Sequence, residues 1–311
     1  MSKLQKSQHY VWREYLRAWA PNEYIWTYFN KSRKTLQPNI TGVAQENYFY
    51  ELIEISSQEE IQLKEFIESM VDPSIMDLCS DFISAFTMPS KLKRIFKPHL
   101  TDEFTASHGI FREMEVNTME KAHGIFEKAG AKFIKCRSIQ ELQSFMEVED
   151  NYFNTMLFIC FQYFRTKKIK ENILRDIDSK KFPLIKFWNI ISFCMAIQLT
   201  KSLSLDPRVI FIVFKSYKIP FLTCDQPAFN LKEEELNEKG KVKNFELYYP
   251  LSPDTAIVMQ IANQPTEKFK EVQINPSMAN YFNKIVIEKS RDFVFSSNQE
   301  QLNELLNSAK N

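Results

Sequence analysis

Val209-Ile210-Phe211-Ile212-Val213-Phe214-Lys215 is the stretch whose reading decides the fold. Six apolar residues in a row, β-branched or aromatic and without helical spacing, predict a buried strand. Upstream the pattern is helical. Asn151 to Ile177 reads as one long helix, with Tyr152 to Phe164 apolar nearly all round and the second half basic. Pro183 to Leu203 reads as another core helix. Downstream, Ile219 to Thr223 is expected as the hairpin partner of the Val209 strand. Phe245 to Tyr249 and Thr255 to Ile261 follow as strands around the turn Pro250-Leu251-Ser252-Pro253. Met278 to Ile287 and Gln299 to Ser308 read as helices, with a short strand at Phe293 to Phe295 between them.

Toward the N-terminus, Ser138 followed by Glu141 fits a capping box that opens a helix to Met146. Ser107 to Ala131 is helical, with Ile110, Phe111, Met114, Ile125 and Phe126 apolar. Ser57 with Glu60 fits a second capping box, before a helix broken at Asp72-Pro73 and resumed over Ser74 to Phe86. Glu23 to Phe29 and Thr35 to Ile40 predict a β-hairpin around Asn30 to Lys34, and Tyr10 to Ala20 a helix ended by Pro21. The aromatic knot Tyr48-Phe49-Tyr50 belongs to a strand or a packed loop. The sum is an α+β fold: a helix-rich middle with an N-terminal β-hairpin and a C-terminal small antiparallel sheet. The expectation is a single interlocked domain over 1–311, with a hairpin region (1–55), a helical region (56–205) and a C-terminal β-containing region (206–311).

Composition narrows the function classes. Five glycines stand against 27 phenylalanines and 12 tyrosines, and no two glycines have the spacing of a phosphate-binding or dinucleotide-binding loop. The net charge of +1 selects no partner. Two runs are basic: Lys91, Lys93, Arg94 and Lys97, and the segment from Arg165 to Lys181. Either can track a phosphate backbone or form a solvated helix face. The five cysteines (Cys79, Cys136, Cys160, Cys194 and Cys224) contain no CxxC pair, which points to reduced thiols in a cytoplasmic setting. Phe182 to Leu199 is interrupted by Lys186, Asn189, Ser192 and Gln198, and reads as a buried helix, so no membrane association is expected.

Polar residues in apolar settings are the candidates for chemistry. His99, His108 and His123 read as structural or exposed. His9 precedes an aromatic helix and can face a cleft or bond a helix end. Gln162 and Arg165 share one face of the most apolar helix, as a buried network or as a pocket wall that holds a phosphate or carboxylate. Asp225 follows a predicted strand and precedes Gln226-Pro227, as a ligand for metal or substrate or as an Asx turn. Glu120 is one glutamate among several on its helix. Leu231 to Asn244, highly charged, is the candidate mobile surface loop.

Several of these stretches resemble, in order, the motifs of the bacterial domain-of-unknown-function 4238 family. They are Gln8-His9-Tyr10-Val11 with Leu16-Arg17-Ala18-Trp19, Asn47-Tyr48-Phe49-Tyr50, Met119-Glu120, Gln162-x-x-Arg165-Thr166, Thr223-Cys224-Asp225-Gln226-Pro227 and Pro250-Leu251-Ser252-Pro253. Trp12, Lys167 and Gln226 depart from the proline, proline and asparagine usual in the family. The resemblance implies no reaction. It implies a constellation of His9, Glu120, Gln162, Arg165 and Asp225, whose convergence would mark a site.

The leading expectation is a metal-assisted phosphodiesterase or nuclease. Glu120 and Asp225 would bind Mg²⁺ or Mn²⁺, with Gln162 or His9 completing the shell. His9 would alternatively act as general acid or base, and Arg165 would stabilise the phosphate. Lys167, Lys168 and Lys170 would lie along the nucleic acid. A role in bacterial defence is what such families suggest, with no residue pointing to it. A second expectation is a non-catalytic sensor or interaction module, whose aromatic hairpin meets a partner protein or a second copy. A third is a nucleotide hydrolase or transferase with Arg165 as phosphate clamp.

Overall fold

The structure is a computed structural model that describes residues 4–96, 105–175, 183–238, 242–264 and 266–308. It opens with a short strand, β1 (Ser7–His9), and one turn of helix, α1 (Arg13–Leu16). The helix expected over Tyr10 to Ala20 is thus only α1, continued by turns. β2 (Trp26–Phe29) and β3 (Lys34–Leu36) form the expected antiparallel hairpin, and β4 (Gln45–Asn47) returns to pair with β1.

The helical part follows: α2 (Ser57–Met70), α3 (Met76–Phe96), α4 (Thr105–Gly130), α5 (Ile139–Met146), α6 (Glu149–Phe164), α7 (Lys167–Arg175) and α8 (Leu184–Ser204). Ser138 caps α5 through the amide of Glu141, as its sequence predicts. The box on α2 lies one residue earlier than expected. Ser56, not Ser57, accepts from the Glu59 amide, and Glu59 bonds the Ser56 amide in return. Both serines carry a glutamate three residues on, so local sequence cannot choose between them. The single helix expected over Asn151 to Ile177 is two. α6 stops at its C-cap Arg165, and the one-sided basic α7 sets off separately.

The remainder is β5 (Val209–Lys215), β6 (Thr223–Cys224), β7 (Phe229–Asn230), β8 (Glu246–Ser252), β9 (Thr255–Ile261), β10 (Phe269–Gln273), α9 (Pro276–Lys289), β11 (Phe293–Ser296) and α10 (Gln299–Ser308). Two larger sheets result. One runs β10-β5-β9-β8-β7 and is antiparallel except for the parallel pair β10/β5. The other runs β3-β2-β11-β6 and joins the N-terminal hairpin to C-terminal strands. The expected hairpin between the Val209 strand and Ile219 to Thr223 does not form. Both edges of β5 are taken, by β9 and β10, and Thr223-Cys224 crosses to pair with β11. β8 runs through the expected turn at Pro250 to Ser252 with a bulge, and the chain reverses at Pro253-Asp254.

The scarcity of glycine and abundance of aromatics have a visible outcome. Phe126, Phe161 and Phe193 interlock α4, α6 and α8, with ring centroids 4.1 Å apart for 126–161 and 4.6 Å for 161–193. The same apolar cluster takes in Tyr15, Trp19, Phe158 and Tyr249, so the N-terminal segment, helices and larger sheet share one core. A second cluster, around Tyr248, Phe221, Phe229 and Phe282, fills the space under α9 and α10. The five cysteines are buried free thiols. No described helix is long and apolar enough to cross a membrane. His99, Lys97, Lys180, Lys181 and Gly240 lie outside the described residues, as does the His108 side chain.

Candidate functional site

The N-terminal strand is held by side chains rather than by a sheet alone. Gln8 is fully buried; its Nε2 donates to the Val116 carbonyl (2.7 Å) and its Oε1 accepts the Tyr50 amide (2.6 Å). Strand alternation then turns His9 the other way, toward a cleft of about 350 Å³ between β1, α1 and α4. Gln5, His9, Trp12, Arg13, Glu14, Arg17, Glu120, Glu127, Lys128 and Ala131 line it. Glu120 and Glu127 share a face because they are two turns apart on α4.

Two residues of this wall each hold a buried atom without a hydrogen-bond partner, His9 Nε2 and Glu120 Oε2. Burial, reinforced by the positive charges of Arg13 and Arg165, lowers the pKa of His9 to about 4. Burial raises Glu120 to about 7; Glu127 adds to the rise, and Arg165 and Arg13 oppose it. Near neutrality the imidazole is therefore an uncharged proton acceptor, and a large share of Glu120 still carries its proton.

Arg165 sits behind this wall, not in it. Its guanidinium is buried and spends four of its five N–H groups inside the protein. Nε donates to the Tyr50 hydroxyl (2.9 Å), Nη1 to Glu127 (2.7 Å) and Gln162 Oε1 (3.5 Å), and Nη2 to the His9 carbonyl (2.7 Å). The sequence expectation of a phosphate clamp thus meets a residue whose donors are committed. His9, Glu120, Gln162 and Arg165 do converge, and Glu127 and Tyr50 join them. Nothing local distinguishes Glu127 among the charged residues of α4. Tyr50 was visible only as part of the aromatic knot.

Asp225 stands apart from this group. It is 3% exposed, and its two oxygens accept the amides of Arg291 (2.9 Å) and Asp292 (2.7 Å). Its own amide donates to the Phe293 carbonyl (3.1 Å), so the residue fastens the start of β11 to β6. Burial raises its pKa to about 6 against the pull of those amides. His123 is a core histidine, with its ring 4.3 Å from Tyr50 and 4.9 Å from Phe193.

Several described residues of the basic runs are engaged as well. Lys167 pairs with Glu46 (2.7 Å) and Asp292 (3.3 Å) and lies over the Tyr10 ring, and Lys168 donates to the Glu288 carbonyl (2.9 Å). Lys170 is half-buried and its pKa is lowered by desolvation. In the other run, Lys91 and Arg94 pair with Glu60, and Lys93 with Glu115.

The family model described as "Protein of unknown function (DUF4238)" matches residues 7–183 and 192–300. The chain belongs to this family. No curated protein and no solved structure matches it. In this DUF4238 chain, three of the motifs that carried the resemblance meet in one network. Gln8-His9, Tyr50 and Gln162-x-x-Arg165 together lock β1 against α4 and α6. The Thr223-to-Pro227 motif ties down β11 and reaches α1 through the bond between Thr223 Oγ1 and the Tyr15 hydroxyl (2.7 Å).

Proposed function

We propose that the cleft between β1 and α4 is the acid–base site of a hydrolase that cleaves phosphodiester bonds, with nucleic acid as its substrate class. The observation that carries this reading is that two residues lining one cleft, His9 and Glu120, each hold a buried atom without a partner, Nε2 and Oε2. Opposed displacement of two proton affinities is how a site keeps an acid and a base ready at the same pH. In this reading His9 Nε2 takes the proton of the attacking water or hydroxyl, whose oxygen bonds to phosphorus. The bond to the leaving oxygen breaks, and Glu120 gives that oxygen its proton. His9 then releases its proton to solvent and Glu120 regains one. Arg13, exposed on the same wall, meets the phosphate charge, with Arg17 and Lys128 at the rim.

An Mg²⁺ or Mn²⁺ site built on Glu120 and Asp225 does not fit these residues. Asp225 gives both oxygens to backbone amides, and no group of three His, Cys, Asp or Glu among the described residues could hold a metal ion. The proposed step uses His9 and Glu120 alone. A second reading, a non-catalytic interaction protein, draws support from the internal engagement of Arg165, Asp225, Lys167 and Lys168.

The test is cleavage of labelled single- and double-stranded RNA and DNA with Mg²⁺, Mn²⁺ or chelator, beside His9→Gln and Glu120→Gln. Cleavage is expected to survive chelation and to fall at least about 100-fold in either folded variant. Unchanged cleavage in both variants would remove the acid–base reading. Hydrolysis of free nucleotides alone would move the substrate to that class, and no turnover of either would leave the interaction protein.

A further inference from the structure

Trp12 lines the cleft that holds His9 and Glu120, and the acid–base reading leaves it without a task. Its ring meets Phe158 of α6 at 68°, with centroids 5.9 Å apart, and this contact steadies the indole. The residue is half-buried rather than sealed in the core. Its indole N–H has no acceptor among the described residues, and it is not one of the buried orphan atoms. Trp19, just beyond α1, shows the contrast. It is 1% exposed and donates to the Phe221 carbonyl (2.7 Å), as a tryptophan kept for packing does. Arg13 and Lys128, exposed on the same lining, enter no ion pair among the described residues. One cleft thus offers a ring and two uncommitted cations. A nucleic-acid strand matches both, since each base has a π-face and each phosphate a charge. Size then selects the form of nucleic acid. At about 350 Å³ the cleft lies at the small end of ligand sites, which run from ~300 to 1,000 Å³. A duplex carries its phosphates outside and its bases stacked along the axis. A duplex phosphate that reached His9 and Glu120 would leave no base free for Trp12. A strand without a partner can turn a base out onto the ring.

We propose that the cleft binds single-stranded nucleic acid, with one base stacked on the Trp12 indole and the flanking phosphates held by Arg13 and Lys128. The proposal rests on the reading of the cleft as a site for phosphodiesters and narrows its substrate class. Trp12 is a specificity residue in it, because it touches a base and not the reacting atoms.

The experiment titrates wild type, Trp12→Phe and Trp12→Leu with short phosphorothioate-linked single strands of DNA and RNA, and with blunt duplexes of the same linkage. Anisotropy of the labelled strand reads affinity, tryptophan emission reads the ring, and urea midpoints read the fold. Wild type should bind the single strand at least about tenfold more tightly than the duplex, with its emission quenched. Trp12→Leu should lose about tenfold on the single strand and nothing on the duplex. Trp12→Phe, which keeps a smaller ring, should fall between. Equal single-strand affinity in wild type and Trp12→Leu, or an equal loss on both forms, would overturn the proposal, since the ring would then only pack on Phe158. If Trp12→Leu does not fold, unquenched emission from wild type saturated with the single strand would overturn it equally. Quenched binding without cleavage of ordinary phosphodiesters would end the hydrolase reading while leaving Trp12 as a base platform. No binding of any strand by wild type would end both.

Discussion

Replacing Arg165 by methionine tests the geometry behind the cleft without needing any activity. The substitution keeps an apolar stem of similar reach and deletes the guanidinium. Four acceptors then lose a partner: the Glu127 carboxylate, the Tyr50 hydroxyl, Gln162 Oε1 and the His9 carbonyl. The Arg165 and Glu127 side chains are 2% and 17% exposed, so their ion pair is largely shielded from solvent screening. Breaking such a pair from one side costs about 3–5 kcal/mol, mostly for the charge left behind. Removing both charges costs much less, so Arg165→Met with Glu127→Leu should recover more than half of the loss. Arg165→Lys keeps the charge but cannot reach four acceptors from one point, and should fall between. Urea unfolding followed by far-UV circular dichroism reads all four proteins, with the midpoint and slope fitted separately. A loss below about 1 kcal/mol in Arg165→Met, or a double variant no better than the single one, would refute the picture of a committed hub.

The two displaced groups of the cleft predict opposite pH signatures. Glu120 has a folded pKa of about 7, above its unfolded value, so its contribution is full below about pH 4 and is lost as pH rises through 7. Glu120→Gln should therefore gain roughly 2–3 kcal/mol over wild type at pH 8 and nothing at pH 4. His9 has a folded pKa of about 4, below its unfolded value, so its contribution is full above about pH 6.5 and is lost as pH falls toward 4. His9→Gln should flatten that part of the profile, and urea midpoints across pH 4–8 check both. Asp225→Asn keeps one acceptor for two amides and should cost about 1–3 kcal/mol, with cleavage by the folded protein unchanged; a selective loss of activity would return Asp225 to the site. Gly130→Ala places a Cβ against the Phe158 ring and should lower stability by about 1–3 kcal/mol, read by thermal unfolding.

Much of the fold was legible in the chain because its signals are local. The apolar run Val209 to Phe214 is a strand buried on both faces because Tyr152 of α6 packs on Phe211 and Phe282 of α9 on Phe214, while β9 and β10 take its edges. The Ser138 cap and the hairpin around Asn30 to Arg33 depend only on neighbours in sequence. Where two local solutions were nearly equal, as for Ser56 and Ser57, the fold uses Ser56 with Glu59 and leaves Glu60 to pair with Lys91 and Arg94 of α3. Strand pairing was beyond local reading. Phe269 to Gln273 is short, partly exposed and contains Lys270 and Glu271, and becomes a strand only because β5 offers it an edge.

The candidate site divides in the same way. Gln162 and Arg165 announced themselves as polar groups on an apolar helix, since burying them demands partners whatever the fold. Which partners they found was decided by tertiary structure. The guanidinium went to the His9 carbonyl and Glu127 rather than outward, and Asp225 spent its charge on the amides that open β11. Sequence by itself determined that this chain is a phenylalanine-packed α+β protein with a few polar residues too costly to leave unpaired. Only the folded chain decided that His9 and Glu120 keep an open valence, because hydrogen-bond satisfaction depends on atoms that lie more than a hundred residues apart.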